Sequence, residues 1–289
     1  MSGRADATRI ETLTCELCST TGSARVIFKL TRLILRCVSC GLVFAAPDER
    51  EEGSCSYSEA YYHEGVYADY LSDRLAIQRN ASRTLAELGE LTSGRILLDI
   101  GCAAGFFLLA AKEAGWTVRG LEKSPYMAGY ARRQFSLAVD HGSIDNPSAG
   151  LERSDVVTLW DTLEHLYHPA RAVENIRRLL RPGGLLALST GDYGSVLRRL
   201  TGRRWRLFVD PTHNYFFDEK TLRTLLDRGG FRILRLKRRG KLVSLSMILH
   251  QSGVPFAAKA RHLLQARGWS PSFYVNLGDV MTVYACARE

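Results

Sequence analysis

Four of the seven cysteines occur in two pairs with the same spacing, Cys15 with Cys18 and Cys37 with Cys40. Two such pairs can supply four thiolates to a tetrahedral Zn²⁺ ion. Because the protein would fill all four positions, the predicted site is structural, and metal binding alone can fold a ribbon that is too small to have its own core. We therefore predict a zinc-ribbon module over residues 1–46. Redox-active dithiols and unconnected buried cysteines are the alternatives.

A second group of residues could bind the ribose of a nucleoside. Asp99, Gly101 and Gly105 lie where a buried apolar run gives way to a helical pattern, and Glu122 follows at the end of the next apolar run. Glycine permits a tight turn and a close approach of the backbone to a ligand. A carboxylate about 20 residues further on can accept hydrogen bonds from both ribose hydroxyls. The turn lacks the third glycine of a dinucleotide fingerprint, so the pattern predicts adenosine binding.

These residues need a sheet to position them. From residue 94 onward, strand and helix patterns alternate, which predicts a parallel sheet with helices on both faces and a ligand crevice at the carboxyl ends of its central strands. The predicted strands cover residues 95–100, 117–121, 137–139, 155–160, 185–189, 231–236 and 280–287. The predicted helices cover residues 106–114, 125–135, 170–180 and 220–228.

A linker and a helical lid segment are predicted between the cysteine module and the sheet, over residues 47–90. Residues 47–58 are acidic and rich in serine, as in a linker. Helical spacing follows, and it places on one buried stripe the side chains of Leu71, Leu75, Leu85 and Leu88. Three tyrosines could fold over a bound ligand or pack in the core: Tyr61, Tyr62 and Tyr67.

Two further motifs complete an ordered series. The residues after the fourth strand of the sheet read Trp-Asp-Thr-Leu-Glu-His (160–165), and Leu-Leu-Arg-Pro-Gly-Gly (179–184) precedes the fifth. With the glycine turn and Glu122, this series resembles class I S-adenosylmethionine (SAM)-dependent methyltransferases, in particular the group with D-x-LEH and L-x-PGG motifs. The resemblance runs from about residue 91 to residue 289. It implies a Rossmann-like α/β fold with a seven-stranded sheet, following the small zinc ribbon.

The resemblance also implies roles for individual residues. Asp99, Gly101 and Gly105 would surround the methionine moiety of SAM, and Glu122 would bind its ribose. A cap of a helix or turn is the structural alternative for Asp99. Ala103 stands where many members of the family have glycine. The rest of the implied cofactor site consists of Ser143 and Ile144, which would flank the adenine, and Asp161.

The acceptor side of the site has two candidate histidines. Methyl transfer requires a nucleophile placed in line at about 3 to 3.5 Å, and a hydroxyl acceptor also benefits from a general base such as imidazole. His165 follows the fourth strand of the sheet, and His213 lies in a loop that resembles the P-x-H-x-x-x-F element of relatives acting on sugars and other small molecules. The alternatives are loop packing for His213 and bracing of the helix start for His165.

Charge leaves the partner open. The formal net charge of +9 attracts polyanions. Basic residues concentrate near residues 198–206 and 235–241, either as a solvated face or as the site of a phosphorylated or lipid-linked acceptor at an anionic membrane surface. No apolar run reaches membrane-spanning length, and residues 1–14 lack the pattern of a secretory signal. We therefore expect a cytoplasmic protein, either free or peripheral to the inner membrane face.

These observations favour a SAM-dependent methyltransferase that acts on a small molecule. Residues 40–47 resemble the ribbon end of methyltransferases that modify sugars and cell-surface polysaccharides, which indicates a hydroxyl of a sugar, glycolipid or related metabolite. An RNA methyltransferase is the alternative that the ribbon and the charge would also suit. A non-catalytic SAM-binding or zinc-ribbon adaptor is the third hypothesis. The sequence leaves open the acceptor, the methylated atom and the oligomeric state.

Overall fold

The computed structural model describes residues 10–47, 70–147, 150–251 and 271–288. Its strands are β1 (Ala24–Lys29), β2 (Leu33–Cys37), β3 (Val43–Ala45), β4 (Ile96–Ile100), β5 (Thr117–Glu122), β6 (Val139–His141), β7 (Ser154–Trp160), β8 (Leu180–Gly191), β9 (Tyr215–Phe216), β10 (Phe231–Arg238), β11 (Lys241–Ser244), β12 (Ser272–Val275) and β13 (Val280–Ala287). Its helices are α1 (Arg74–Leu91), α2 (Phe106–Glu113), α3 (Pro125–Phe135), α4 (Pro169–Leu179), α5 (Val196–Thr201), α6 (Glu219–Arg228) and α7 (Leu245–Gln251). The predicted lid residues Tyr61, Tyr62 and Tyr67 lie outside the described residues.

Seven strands form one mixed sheet in the order β10-β13-β8-β7-β4-β5-β6. The strands from β8 to β6 are parallel, whereas β13 is antiparallel to both β8 and β10. This arrangement confirms the predicted Rossmann-like α/β fold class. Parallel strands end at the same edge of a sheet, so the residues that follow β4, β5 and β7 lie side by side there.

Helix α1 packs on this sheet with a different face from the predicted one. The prediction is confirmed for Leu85 and Leu88, which are buried, but it is wrong for Leu75, whose side chain is 51% exposed. The buried Thr84 lies nine positions after Leu75, and at 100° per residue the two side chains lie about 180° apart on the helix. None of the helices in the described ranges combines the length and the apolar character needed to cross a membrane.

A second sheet joins the N-terminal region to the rest of the fold. Its antiparallel strands have the order β1-β2-β3-β9, and β9 belongs to the loop predicted on the acceptor side. Val43 pairs with Phe216 and Phe44 with Tyr215, while the backbone N–H of Ala45 donates to the carbonyl oxygen of Asn214 at 2.8 Å. The loop with His213 is therefore fixed by the cysteine-rich region. The domain boundaries predicted after residues 46 and 90 stay predictions.

Strand β8 is longer than predicted. The sequence predicts a turn at residues 182–184 before a short strand, but β8 includes these residues, and its pairing with β7 shifts register between Ser154 and Val156. Gly183 has a positive φ of 70° within this segment. The exposed start of β8 thus forms an irregular extension of the strand, and its buried second half pairs with β7 and β13.

Candidate cofactor and acceptor site

The glycine turn between β4 and α2 has a backbone that few side chains would tolerate. Gly101 and Gly105 have φ values of 72° and 78°. A Cβ atom at position 101 would lie 2.6 Å from Thr162 Oγ1, and one at position 105 would lie 2.6 Å from a Leu137 methyl carbon. Ala103 also has a positive φ, 47°, which explains why glycine suits this position in relatives. The turn therefore requires glycine at positions 101 and 105 on steric grounds.

Glu122 fixes this turn from the end of β5. Its carboxylate accepts one hydrogen bond from the backbone N–H of Ala103 and one from that of Ser124, both 2.7 Å long. The side chain is 5% exposed, and burial raises its pKa, with the backbone N–H groups acting in the opposite direction. Each carboxylate oxygen can accept more than one hydrogen bond. Glu122 can therefore bind ribose hydroxyls without releasing the turn.

Asp99 is a second buried carboxyl group beside the turn. It lies within β4 and accepts a 2.6 Å hydrogen bond from the hydroxyl of Thr158 on β7, so it is not the cap that sequence reasoning left as an alternative. Burial raises the pKa of Asp99 to about 7, and the charge of Glu122 acts in the same direction. Neither carboxyl group forms an ion pair within the described ranges. Such a pair favours a cationic ligand, because a positive charge compensates the cost of burying the carboxylates.

The predicted adenine residues follow β6. Ile144 is fully buried, and its carbonyl oxygen accepts a 2.9 Å hydrogen bond from the side chain of Asn175. The hydroxyl of Ser143 accepts from the backbone N–H of Asp145 at 3.2 Å. Ile144 can supply an apolar wall, whereas the Ser143 hydroxyl is used within its own turn. Their contact with adenine stays a prediction.

Asp161 follows β7 and is linked to a residue that sequence reasoning did not connect with it. Its carboxylate accepts from the Ser189 hydroxyl at 2.7 Å and pairs with Lys241 Nζ at 3.0 Å. Burial alone would raise the pKa of Asp161, but the Lys241 charge and the Ser189 hydroxyl hold it below its usual range. Asp161 is therefore ionised, and a role in binding the cofactor would share the carboxylate with Lys241.

The structure brings the two predicted histidines together. The ring centroids of His165 and His213 are 4.6 Å apart, and the rings meet edge to face. His213 donates from Nδ1 to the carbonyl oxygen of Leu207 at 2.8 Å, and its Nε2 lies 3.7 Å from Asp210 Oδ2. Since Nδ1 carries the proton of the neutral ring, Nε2 holds a free lone pair. His213, which is 7% exposed, is thus held as a base with a carboxylate beside it.

His165 is held through Thr212. Its Nδ1 lies 3.2 Å from the Thr212 carbonyl oxygen and 2.9 Å from the Thr212 hydroxyl, which in turn donates to Asp210 at 2.6 Å. Burial and then the charge of His213 lower the pKa of His165 to about 4. At neutral pH His165 is therefore uncharged, and His213 has no second cation against its ring. Sequence reasoning missed Thr212 and Asp210, although both lie within three residues of His213.

Glu164 adds a carboxyl group to this pair of histidines. It is buried beside the hydroxyl of Thr190, which donates to it at 2.9 Å. Burial and then the charge of Asp161 raise its pKa to about 8. One ligand atom from each of Glu164, His165 and His213 lies within 4.8 Å of the others. This donor set could hold a divalent cation as well as move a proton.

The four paired cysteines form one cluster. The Sγ atoms of Cys15 and Cys40 are 3.6 Å apart, and so are those of Cys18 and Cys37. All four sulfur atoms lie within 4.8 Å of one another. A Zn–S bond of about 2.3 Å in a tetrahedron places sulfur atoms about 3.8 Å apart. The cluster therefore fits a tetrathiolate Zn²⁺ centre in both donor type and size.

The cations of the second basic group, residues 235–241, form ion pairs with acidic side chains. Arg235 pairs with Glu90, while Lys237 and Arg239 both pair with Glu87. Arg238 pairs with Asp192 at 2.6 Å, and Lys241 with Asp161. These cations therefore connect β10 and β11 to their neighbours, which does not fit the hypothesis that this group binds a phosphorylated or lipid-linked acceptor.

The first basic group is largely exposed. Within residues 196–209 the exposed side chains are either arginine or aliphatic: Val196, Arg199, Leu200, Arg203, Arg204, Arg206 and Val209. Trp205 anchors this segment, because it is buried and its Nε1 donates to Asp279 at 3.0 Å. We call this set the arginine–aliphatic surface. It lies beside the loop of His213, because the carbonyl oxygen of Leu207 in this segment accepts the hydrogen bond from His213 Nδ1.

Comparison with known proteins gives the family. A family model described as "Methyltransferase domain" matches residues 70–236, more than half of the chain. A ubiquinone biosynthesis O-methyltransferase from Coxiella burnetii (strain Dugway 5J108-111) is 28% identical over 152 residues, which cover 49% of this chain and 65% of that protein. One from Cereibacter sphaeroides (strain ATCC 17025 / ATH 2.4.3) is 29% identical over 175 residues, covering 56% and 69%. The chain thus spans slightly less than two thirds of the first relative.

A solved structure shares the fold. A SAM-dependent methyltransferase from Thermotoga maritima superposes with a TM-score of 0.52 and 21% identity, over 79% of this chain and 100% of that one. At this identity the likeness concerns the fold alone. The family match covers the glycine turn, Glu122 and the two motifs at residues 160–165 and 179–184. The chain therefore belongs to the class I SAM-dependent methyltransferases.

Proposed function

We propose that this enzyme methylates a hydroxyl group of a small molecule and that His213 accepts the hydroxyl proton. One observation carries the proposal. The hydrogen bond from His213 Nδ1 to the Leu207 carbonyl oxygen leaves Nε2 as a base in a buried site. General-base assistance matters for a hydroxyl because its oxygen is a weak nucleophile while it keeps its proton. The two relatives are O-methyltransferases by name, which supports an oxygen acceptor.

The residues of the site account for the proton that the proposed reaction releases. SAM, when bound, would supply an electrophilic methyl group: the acceptor oxygen would bond to its carbon as the carbon–sulfur bond breaks, with the electron pair staying on sulfur. The hydroxyl proton moves to His213 Nε2. Asp210 Oδ2, 3.7 Å away, stabilises the imidazolium that results. The neutral His165 adds no repulsion to that charge.

The cofactor residues keep the roles that the family motifs imply. In this proposal Asp99 and the turn from Gly101 to Gly105 surround the methionine moiety, and Glu122 binds the ribose. Two buried carboxyl groups without a cation partner in the described ranges suit a cofactor that carries a sulfonium and an ammonium group. Ser143 and Ile144 would flank the adenine, and Asp161 would face the same crevice from β7.

The acceptor class that we favour is a sugar, a glycolipid or a related metabolite. Residues 40–47 of the second cysteine pair and the loop of His213 resemble elements of sugar-modifying relatives, and the two segments pair as β3 and β9. An RNA acceptor is the alternative outcome of the test. Both depend on the same cofactor site, so an acceptor screen distinguishes them directly.

We also propose that the cysteine cluster holds a structural Zn²⁺ ion. The protein's four thiolates would complete the coordination, which leaves no position for a reacting group. A peripheral contact of the cytoplasmic enzyme with an anionic membrane is the proposed role of the arginine–aliphatic surface, since arginine side chains attract anionic lipids and Leu200, 80% exposed, can enter the interface. A lipid-linked acceptor would then be presented beside His213.

The test is an acceptor screen with radiolabelled SAM. Purified enzyme is incubated with sugars, glycolipids, quinol-type phenols and transfer RNA, and with the His213→Ala variant as control. We expect label in a hydroxyl-bearing small molecule, recovered as a methyl ether, and strongly reduced labelling by the variant. Label in RNA, or on nitrogen or carbon, would contradict the proposal.

A further inference from the structure

A cavity of about 410 Å³ lies outside the cofactor site, on the cysteine-rich side of the N-terminal sheet. Its walls come from the β1–β2 pair, the second cysteine turn and the start of α6. The residues that matter for its chemistry are Arg25, Arg36, Asp218 and Lys220. Volumes of 300 to 1,000 Å³, roughly, are typical of small-molecule sites. The cavity is therefore large enough for a phosphate or diphosphate group with part of its parent molecule.

Three cations face this cavity without an acidic partner. Arg25 and Arg36 are directly opposite each other in the β1–β2 register, so both guanidinium groups project from the same face of the sheet. Like charges in this position destabilise a strand pair unless something anionic lies between them. Within the described ranges neither arginine forms an ion pair, and the same holds for Lys220.

The acid in the lining does not neutralise these charges. The carboxylate of Asp218 caps α6, where it accepts from the backbone N–H of Thr221 at 2.8 Å and from its hydroxyl at 2.7 Å. Its lone pairs are thus partly committed to the helix, and one carboxylate remains against three cations. Apart from the cysteine cluster, the side chains that line the cavity therefore carry an excess of positive charge.

A tetrathiolate Zn²⁺ centre is the competing explanation for the arginines. Cys37 and Cys40 also line the cavity, and a zinc ion with four thiolates carries a net charge of about −2. However, none of the described hydrogen bonds joins either guanidinium group to a sulfur atom, and the Ser23 hydroxyl lies 3.2 Å from Cys37 Sγ. Both arginines line the open volume of the cavity instead.

We propose that this cavity binds the phosphate or diphosphate group of a phosphorylated small molecule. Guanidinium groups donate paired hydrogen bonds to phosphate oxygens, and two of them on one strand pair can hold adjacent phosphates. Lys220 adds a point charge from the opposite wall. The site is separate from the glycine turn, and it does not depend on the proposed base or on the acceptor.

The test measures binding of inorganic pyrophosphate to the zinc-loaded full chain by calorimetry. We expect saturable binding that weakens with added salt, and a loss on the order of 10-fold or more in the double variant Arg25→Gln/Arg36→Gln. Arg171→Gln/Arg232→Gln removes two exposed arginines elsewhere and should bind as the wild type does. Lys220→Gln, on the exposed start of a helix, serves if the double variant does not fold.

Two further measurements complete the test. Binding to vesicles that contain phosphatidylglycerol identifies the source of the phosphate. If the wild type binds these vesicles and the double variant does not, the ligand is a lipid headgroup. If the wild type binds pyrophosphate but not the vesicles, the ligand is soluble. Zinc content addresses the competing explanation. Unchanged pyrophosphate affinity in the double variant and in Lys220→Gln overturns the proposal. The proposal is also overturned if the wild type binds no pyrophosphate and the double variant loses its zinc.

Discussion

The backbone N–H of Ala103 donates to Glu122 Oε2 at 2.7 Å, so the acid at the end of β5 holds the turn that follows β4. Glu122 thus has two tasks, to fix the backbone around the cofactor and to offer its remaining lone pairs to the ribose. A mutation of Glu122 therefore affects two quantities: the stability of the ligand-free enzyme, through the turn, and the affinity for the cofactor, through the ribose.

Glu122→Ala should weaken SAM binding by on the order of 10-fold or more, since hydrogen bonds to a charged group contribute about 1.5 to 3 kcal/mol each. The same change should lower the stability of the ligand-free protein, because the Ala103 N–H loses its partner. Calorimetry measures the affinity and thermal unfolding the stability. Glu113→Ala, an exposed glutamate on α2, is the matched control. Wild-type affinity in Glu122→Ala would refute the assignment.

SAM affinity should increase with pH through about 7. Burial raises the pKa of Asp99 from 3.8 to about 7. Between these two pH values the ligand-free folded protein keeps a proton on Asp99 that the unfolded chain has lost, so the free energy of unfolding falls as pH rises. A cationic ligand prefers the ionised carboxylate, so binding releases the proton below that pH. Calorimetry in two buffers of different ionisation enthalpy measures the release. Asp99→Asn should bind weakly with little pH dependence, and a flat wild-type profile would contradict the prediction.

His213→Ala should lower kcat by about 10² to 10⁴-fold with little change in SAM affinity, because the base acts on the acceptor. His168→Ala, which removes a partly exposed histidine paired with Glu16, is the matched control and should keep its turnover. Burial and the charge of His213 hold the pKa of His165 near 4, so His165 is uncharged at neutral pH. Full turnover in His213→Ala would leave this histidine a packing residue.

Protein purified without chelator should contain about one equivalent of zinc, as a tetrathiolate site requires. Cys18→Ser/Cys40→Ser should lose the metal and unfold at a lower temperature. Because β3 pairs with β9, turnover should fall as well, although neither cysteine lies in the crevice. Cys286→Ser, at a cysteine outside the cluster, should keep its zinc. Unchanged metal content in the double variant would show that these thiols are not the ligands.

Leu200→Glu should reduce binding to vesicles that contain phosphatidylglycerol by on the order of 10-fold. It removes a leucine side chain that would be buried in the membrane interface, and it adds a negative charge. Activity towards a soluble acceptor should stay the same. Leu75→Glu changes another exposed leucine, on α1, and should bind vesicles as the wild type does. Equal binding by Leu200→Glu and wild type would exclude the arginine–aliphatic surface as the membrane contact.

Strands β4 and β7 of the large sheet could be predicted because they are largely apolar runs, and the glycine turn because only glycine fits there. The cysteine cluster could be predicted from spacing, since ligand geometry fixes the distance between paired thiols. Strand β9 could not, because two residues, Tyr215 and Phe216, carry no periodic pattern and gain their partners from the far end of the chain. Local pattern does not encode such pairing.

The sequence does not show which cations are free and which are paired. The run from Arg235 to Lys241 has the composition of a ligand-binding patch, yet its partners Glu87, Glu90, Asp161 and Asp192 are distant in sequence. Whether a cation is free or paired depends on tertiary contacts. The pair of Asp161 with Lys241 and the coupling of His165 to His213 through Thr212 are of the same kind.

The pairing of Phe44 with Tyr215 has a consequence for biosynthesis. At translation rates of about 5 to 20 residues per second, β3 leaves the ribosome roughly 10 to 30 s before its partner strand exists. During that interval the cysteine-rich segment has an open edge and must avoid pairing with another nascent chain. The histidine loop in turn meets its template only after strands β4 to β8 have been synthesised. Assembly of the acceptor side therefore follows synthesis of the strands that carry the glycine turn and Glu122.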